Sequence, residues 1–498
     1  MLIGGLDVGT TGCKLTVYNN SGEFVYNSYV EYDVSRESGK HEIDANVIYS
    51  SVCKVIKDVY SKHSVDVIGV TTFGESFAAL DENDDVLLPV MLYTDPRGEE
   101  ECKELCSKLS EEHMTEILGV KPHSMYSLPK VMWIKNNLPD TYKKIKRILL
   151  MEDFIVYMLS GKACIDYSLA ARAMALDIRK KEWSDEILCA AGVDKELLSQ
   201  PVPTGHLAGT VRPEVARELG MSEDVKIVCG AHDQVASAVG AGVFEVGRAV
   251  DGTGTVECVT PVFDKIPDNK KLYDENYSVV PYVFDGTYVC YALSYTGGAV
   301  LKWYRDNFAK YEKELADKKG TNVFAELDNS IPDAPTDILV MPHFAGAANP
   351  YMDTGSRAAM IGLTLEHTNK DIYKALMEGV TYEIMLNLEH LEAADIKLES
   401  LYATGGGASS PVWLQIKADI LNRPITAIDA KEVGALGTCM LAGCAVGAFA
   451  DLYEARNIFV KMKKTFTPNP EYAKINSKRY KAYRRIYEAV RPIVEEVN

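Results

Sequence analysis

Met1–Tyr32 reads MLIGGLDVGTTGCKLTVYNNSGEFVYNSYVEY, with apolar and β-branched runs broken at Gly9–Gly12 and again at Asn19–Gly22. Both breaks are turn signals, so the stretch is expected to form strand, turn, strand, turn, strand. A helix-like segment near Ala45–Tyr60 follows, then the strand VDVIGVTTF around Val65–Phe73. Further helices are expected around Lys103–Leu118, Lys130–Asn136 and Glu152–Leu159. Strand and helix signals alternate, which makes the class α/β. After residue 240 the pattern restarts: VGRAVDGTGTVECVTPVF (Val246–Phe263) again runs strand, Asp-Gly-Thr turn, strand. A repeat at half the chain length suggests duplicated domains facing a central cleft, expected at 1–243 and 244–498. The last helical stretch is expected over Glu471–Val490, with Pro492 marking its end. Gly434–Ala450 is the longest uncharged stretch, but Glu432 and Asp451 bound it closely. Its Gly and Ala content suits a buried, closely packed helix, not a membrane span.

Bulk properties agree with a soluble enzyme of two domains. The 498 residues exceed the size at which one hydrophobic core stops growing. Hydrophobic residues make up 47% and charged residues 25%, which is ordinary for a globular protein. The formal net charge of −18 disfavours a nucleic acid or an anionic membrane as partner, because phosphate backbones are collected by excess Lys and Arg. Eleven cysteines are scattered without a Cys-x-x-Cys pair, which fits a reduced, cytoplasmic setting and no zinc site. The first residues lack the basic start of a signal peptide, and Asp7 interrupts the first apolar run.

Three glycine clusters offer backbone to phosphate. Phosphoryl transfer needs N–H groups and hydroxyls around the phosphates, a cation, and a carboxylate for Mg²⁺. Asp7-Val8-Gly9-Thr10-Thr11-Gly12-Cys13-Lys14 supplies each of these within one hairpin, although glycine turns with Asp and Thr occur in many hairpins. The segment is neither a Walker A loop nor a dinucleotide fingerprint. Asp251-Gly252-Thr253-Gly254-Thr255 is the second cluster. The third, ATGGGASSP (Ala403–Pro411), lies between the apolar LYA and the helix-like VWLQIKADIL. Glycines at a strand-to-helix junction admit a ligand against the backbone, or simply make a tight turn.

The order of these loops resembles that of the FGGY family of carbohydrate kinases, from Leu2 to about Ala448. The resemblance is most specific at the N-terminal loop, at GAHDQ (Gly230–Gln234), at AAMIGLTLEHTNKDIYKALMEG (Ala358–Gly379), and from GGGASSP to GALGT. SLPKVMWIK (Ser127–Lys135) and LSGKACIDYSLAARAMALDI (Leu159–Ile178) are also similar to family segments. The resemblance implies two actin-like, ribonuclease-H-like ATPase domains facing a central cleft. It implies ATP and Mg²⁺ as cofactors, a small sugar as partner, and a homodimer. By position, Asp7 falls on the family's metal carboxylate, Thr10, Thr11 and Lys14 on its phosphate contacts, and Gly252 and Thr253 on its second loop. Gly406 and Gly407 fall on its adenine-side glycines, and Asp233 on its general base, with Gln234 beside it. Many relatives carry Arg where Lys14 stands. Read from its own neighbours, Asp233 follows the apolar strand VKIVCGA and could equally serve as a helix N-cap.

The sugar is less legible. Glu75, Tyr93 and Asp95 are the expected substrate-side residues, Asp95 being equally a turn residue before Pro96. Glycerol kinases carry Arg-Glu where this chain has Gly74-Glu75, Trp where it has Tyr93, and an active-site Tyr where it has Met125. Xylulokinases have Met-His at the first of these, and many relatives have Gly-Glu-Arg-x-Pro where this chain has Gly346-Ala347-Ala348-Asn349-Pro350. Gly74 and Ala347–Ala348 therefore suggest a roomier or less charged pocket. A xylulose-like ketose is favoured, with glycerol or a deoxyketose as the alternative within the family. An actin-like ATPase with an assembly or partner-binding role, and a silent sugar-binding regulator, are the readings from other classes.

Overall fold

The opening stretch folds into three strands, β1 (Leu2–Val8), β2 (Gly12–Asn19) and β3 (Phe24–Glu31), joined by its two turns. They belong to a computed structural model that describes residues 1–36, 39–267, 270–430 and 432–497. The chain divides into two compact units, each discontinuous in sequence. The first comprises Met1–Gly242, Ser278–Val289 and Glu432–Val460, and the second Val243–Tyr277, Cys290–Lys431 and Lys461–Asn498.

In the first unit β1 pairs antiparallel with β2 and parallel with β4 (Val67–Thr72). Every residue of β4 is buried, as in a parallel strand covered on both faces. Two more strands, β5 (Leu207–Thr210) and β6 (Lys226–His232), complete a sheet of order β5-β6-β4-β1-β2-β3. The helix Ala45–Tyr60 packs against β2 and β3 through Ile48, Val52, Val55, Ile56 and Val59, one face at helical spacing. Asp44 caps it, accepting from the Asn46 amide at 2.8 Å. The helices Asp233–Gly240 and Val433–Ala445 pack on each other, and the second also lies against β1 and β4. As far as Ala445 the Gly- and Ala-rich stretch is the buried helix its composition suggests, and residues 446–450 lie beyond its end.

The second unit repeats the plan. β7 (Arg248–Thr253) and β8 (Glu257–Phe263) form a hairpin, and β9 (Ala292–Ser294) pairs antiparallel with β8. On its other side β7 runs parallel to β10 (Ser400–Thr404), which runs parallel to β11 (Ile425–Ile428). β12 (Met462–Phe466) closes the edge antiparallel to β11. In both units a hairpin whose first strand carries an Asp has a parallel strand on its far side.

Two sequence expectations need correction. The helix expected over Lys103–Leu118 is two, Glu99–Leu109 and Glu111–Leu118, because Ser110 turns left-handed (φ +63°) and caps the second through His113 N at 3.3 Å. Pro492 lies inside the helix Ile486–Val497 and does not end it. Pro492 and Glu488 are both exposed, so the carbonyl that the missing N–H leaves unpaired is open to water. Among the described residues no helix is long and apolar enough to cross a membrane.

Candidate active site

The registers of the first sheet bring the ends of three parallel strands together. Asp7 lies beside Thr71, and Thr71 beside Ala231, so Asp7 and Ala231 stand two strand spacings apart, about 10 Å. A bulge between Cys229 and Ala231 re-aims the end of β6, and two residues on, Asp233 opens the helix Asp233–Gly240. His232 is the N-cap and Asp233 the first helical residue, so the capping alternative does not hold for Asp233.

Across the hairpin, Lys14 Nζ lies 3.2 Å from Asp7 Oδ2 and 2.5 Å from Glu432 Oε2. The Gly9–Gly12 loop is closed by Gly9 N donating to Gly12 O at 2.9 Å. Tyr32 pins it from below, its hydroxyl donating to the Gly9 carbonyl at 2.5 Å. This leaves Thr11 exposed and Thr10 half-buried. Burial pushes the Asp7 carboxyl above its ordinary range; Lys14 pulls it back, and the charge of Asp233 adds to the rise. The two carboxylates therefore feel each other.

Asp233 is 39% exposed in its side chain, yet protein surrounds it closely enough that burial raises it to about 6. The Gln234 amide and side chain, Arg172 and Lys14 oppose that rise. His232 is a different case. Burial drives its ring down to about 3, with Glu75 opposing and Arg172 adding, so it is neutral at working pH. Its backbone amide donates to Ser168 Oγ at 2.9 Å, and that hydroxyl donates to Asp166 Oδ1 at 3.0 Å. The backbone just before Asp233 is anchored through Ser168.

Glu75 is buried in a left-handed conformation (φ +65°), and Arg172 Nε donates to its Oε1 at 2.6 Å. The Arg172 guanidinium lies 5.0 Å from the Tyr126 ring centroid. Gly74, just before Glu75, is closely approached by the Arg172 and His232 side chains. A methyl group there would sit 3.0 Å from the His232 ring and 3.1 Å from Arg172 Cγ, so little room is left beside Gly74 itself. Tyr93 is 44% exposed. Burial raises its hydroxyl, and Glu75 and Asp233 raise it further, which puts the three in one neighbourhood.

Asp95 stands differently. Its carboxylate accepts from His41 N at 2.8 Å, Arg97 N at 3.0 Å, Arg97 Nε at 2.7 Å and Arg97 Nη2 at 2.8 Å. Four donors occupy a carboxylate fully, and burial leaves Asp95 2% exposed. These partners favour the turn reading of Asp95.

In the second unit, Gly252 faces Thr404 and Asp251 faces Ala403 across β7 and β10. Gly406 is exposed with no protein atom near the place a side chain would take, and Gly407 is buried. The Thr253 hydroxyl is turned inward, where Lys417 Nζ donates to it at 2.6 Å. Arg172 and Lys417 escaped the sequence reading, although each carried a signal. Arg172 interrupts the small apolar run LAARAMAL and Lys417 the apolar helix VWLQIKADIL. A charge in such a place must find a partner inside the fold.

Residues 2–240 match the N-terminal domain of the FGGY family of carbohydrate kinases, and residues 254–446 its C-terminal domain. The chain is 27% identical over 495 residues to a xylulose kinase of Lactococcus lactis, covering 97% of this chain and 96% of that one. It is 28% identical over 490 residues to a gluconokinase of Bacillus subtilis, covering 94% and 92%. A solved xylulose kinase from Lactobacillus acidophilus has the same fold, with a TM-score of 0.89 at 23% identity over 100% of both chains. With both domains of the family matched along its length, the chain belongs to the FGGY family of carbohydrate kinases, phosphotransferases of actin-like fold that act on an alcohol group.

Proposed function

We propose that this kinase transfers the γ-phosphoryl group of ATP to a hydroxyl of a small ketose or polyol, a xylulose-like sugar being favoured, with Asp233 as general base. The observation that carries this is Asp233 itself. It is an accessible carboxylate near Asp7, and its pKa of about 6 suits a base working near neutrality. The acceptor oxygen bonds to the γ-phosphorus as the bond to the β,γ-bridging oxygen breaks, and ADP leaves. The hydroxyl proton passes to the Asp233 carboxylate and then to solvent. Because such transition states are loose, much of the value of Asp233 lies in orienting the hydroxyl.

Glu75, clamped by Arg172 through Oε1, would use Oε2 as acceptor for a sugar hydroxyl, with Tyr93 beside it. Gln234 would hold Asp233, and Asp95 would hold the Tyr93 loop instead of the sugar. Thr10, Thr11 and Lys14 would meet the phosphates, and the backbone at Gly252, Gly406 and Gly407 the rest of the nucleotide. Asp7 fits Mg²⁺, being recessed, within electrostatic reach of the Asp233 and Glu432 carboxylates and beside a loop open to phosphate. Among the described residues no group of three or more His, Cys, Asp or Glu is placed to hold a metal. A Mg²⁺ ion would be held by one or two carboxylates together with substrate phosphates, whose charge it would neutralise.

The test is Asp233→Asn in a coupled ADP-release assay against D-xylulose, gluconate and glycerol. Phosphorylation of the acceptor used by the wild type is expected to fall by about 10²–10⁴-fold, with Mg-ATP binding retained. Unchanged turnover would remove Asp233 from this role. Turnover of ATP that no acceptor stimulates would favour the actin-like ATPase reading.

A further inference from the structure

Beneath the second glycine loop lies a buried cluster that the reaction above does not use. Lys417, in the helix Pro411–Leu421, is 1% exposed. Its three ammonium protons go to Asp251 Oδ2 at 2.6 Å, Thr253 Oγ1 at 2.6 Å and Glu257 Oε1 at 3.0 Å. Burial works against its charge, but Asp251 and Glu257 outweigh it and keep Lys417 protonated. Such clusters are a weak source of stability, since apolar replacements of similar volume are often as good or better. Their use is directional.

An ammonium only donates, so the Thr253 hydroxyl must accept from Lys417 and send its own proton elsewhere. Asp251 Oδ1, at 3.4 Å, is the acceptor in reach. This fixes the Thr253 side chain, and the third glycine loop rests on it. A methyl group at Gly407 would lie 2.6 Å from Thr253 Cβ and Cγ2, and one at Gly405 would lie 2.6 Å from the Thr253 carbonyl oxygen. Gly406 and Gly254, on either side of this contact, are exposed.

We propose that Lys417 is a positioning residue for the nucleotide: by pinning Thr253 it seats the Gly405–Gly407 loop on the end of β7, so that Gly254 and Gly406 present one surface to ATP. The proposal rests on the reading of these loops as the ATP site. It makes Thr253 a spacer between loops and not itself a phosphate contact.

The experiment is titration calorimetry of the full chain with Mg-ATP, for wild type, Thr253→Val, Lys417→Met and the double variant. Thr253→Val keeps the shape that supports Gly407 and removes only the oxygen that Lys417 holds. Each single variant is expected to bind Mg-ATP about tenfold more weakly, as for loss of a hydrogen bond to a charged group. The double variant is expected to be no weaker than the weaker single, because both break the same link. The KM for the sugar acceptor should stay within about twofold. Thr253→Ser, which keeps the oxygen, should bind more tightly than Thr253→Val. Wild-type affinity in Thr253→Val would overturn the proposal, and so would full additivity, which would make Thr253 a contact in its own right. If Lys417→Met does not fold, Lys417→Gln takes its place in the cycle, and wild-type affinity in Thr253→Val still overturns the proposal. Absence of Mg-ATP binding by the wild type would instead overturn the reading of the loops, and this proposal with it.

Discussion

Gly437→Ala tests how the position of Asp233 is set. The helices Asp233–Gly240 and Val433–Ala445 touch through their backbones, with glycine on both sides. A methyl group at Gly437 would sit 1.9 Å from the Ala236 carbonyl oxygen, and one at Gly240 would sit 1.9 Å from that of Val433. A carbon needs about 3.3 Å from such an oxygen, so the helices must part by more than 1 Å. Overpacking of this kind costs about 1–3 kcal/mol, and in a domain of this size each kcal/mol lowers Tm by about 2–4 °C. The displaced helix begins with Asp233, and a shift of about 1 Å in a reacting group can cost about 10²-fold in rate. Gly434→Ala in the same helix is the control. Its methyl group would meet only Asp7 Oδ2 and Ser237 Oγ, both at an ordinary 3.5 Å. Differential scanning calorimetry and the ADP-release assay should therefore find Gly437→Ala less stable and much slower, and calorimetry should find Gly434→Ala close to wild type in Tm. A Gly437→Ala protein with wild-type Tm and turnover would refute the close crossing as the element that positions Asp233. An equal loss of Tm from Gly434→Ala would do the same.

Two further outcomes follow from the site. A general base acts in its charged form, so kcat/KM should fall about tenfold per pH unit below the Asp233 pKa of about 6 and level off above it; a profile flat from pH 5 to 7 would exclude Asp233 as the titrating base. Arg172→Met leaves the buried Glu75 carboxylate uncompensated and should cost about 3–5 kcal/mol in denaturant unfolding. Adding Glu75→Gln should restore much of that stability without restoring the KM for the sugar, and recovery of both would show that the pair serves stability alone.

Much of the architecture was written locally. The opening strands and turns follow from alternation and glycine, and the helix Ala45–Tyr60 from its apolar spacing behind Asp44. These signals lie in neighbouring residues, where backbone preference and periodicity act directly. The small residues of Gly434–Ala450 likewise announced a close-packed helix, and the glycine loops with Asp7 and Asp233 were legible in the resemblance to a family. The break at Ser110 was not legible, because serine carries no strong preference for the left-handed conformation it adopts there.

Other decisions belonged to the tertiary structure. Composition describes Val433–Ala445 but does not reveal that it packs with β1, from the opposite end of the chain. Gly74 read by itself implies space, yet His232 and Arg172 leave little room beside it. Asp95 reads equally as a sugar-side or a turn residue, and only the fold shows Arg97 and the His41 amide at its oxygens. Thr253 reads by position as a phosphate contact, and only the fold shows that Lys417 donates to its hydroxyl. In each case the sequence by itself determined which residue stands at the loop or strand end. Its partner came from a distant segment brought alongside by sheet register and helix packing, and a buried charge or a filled void depends on that partner more than on its own neighbours.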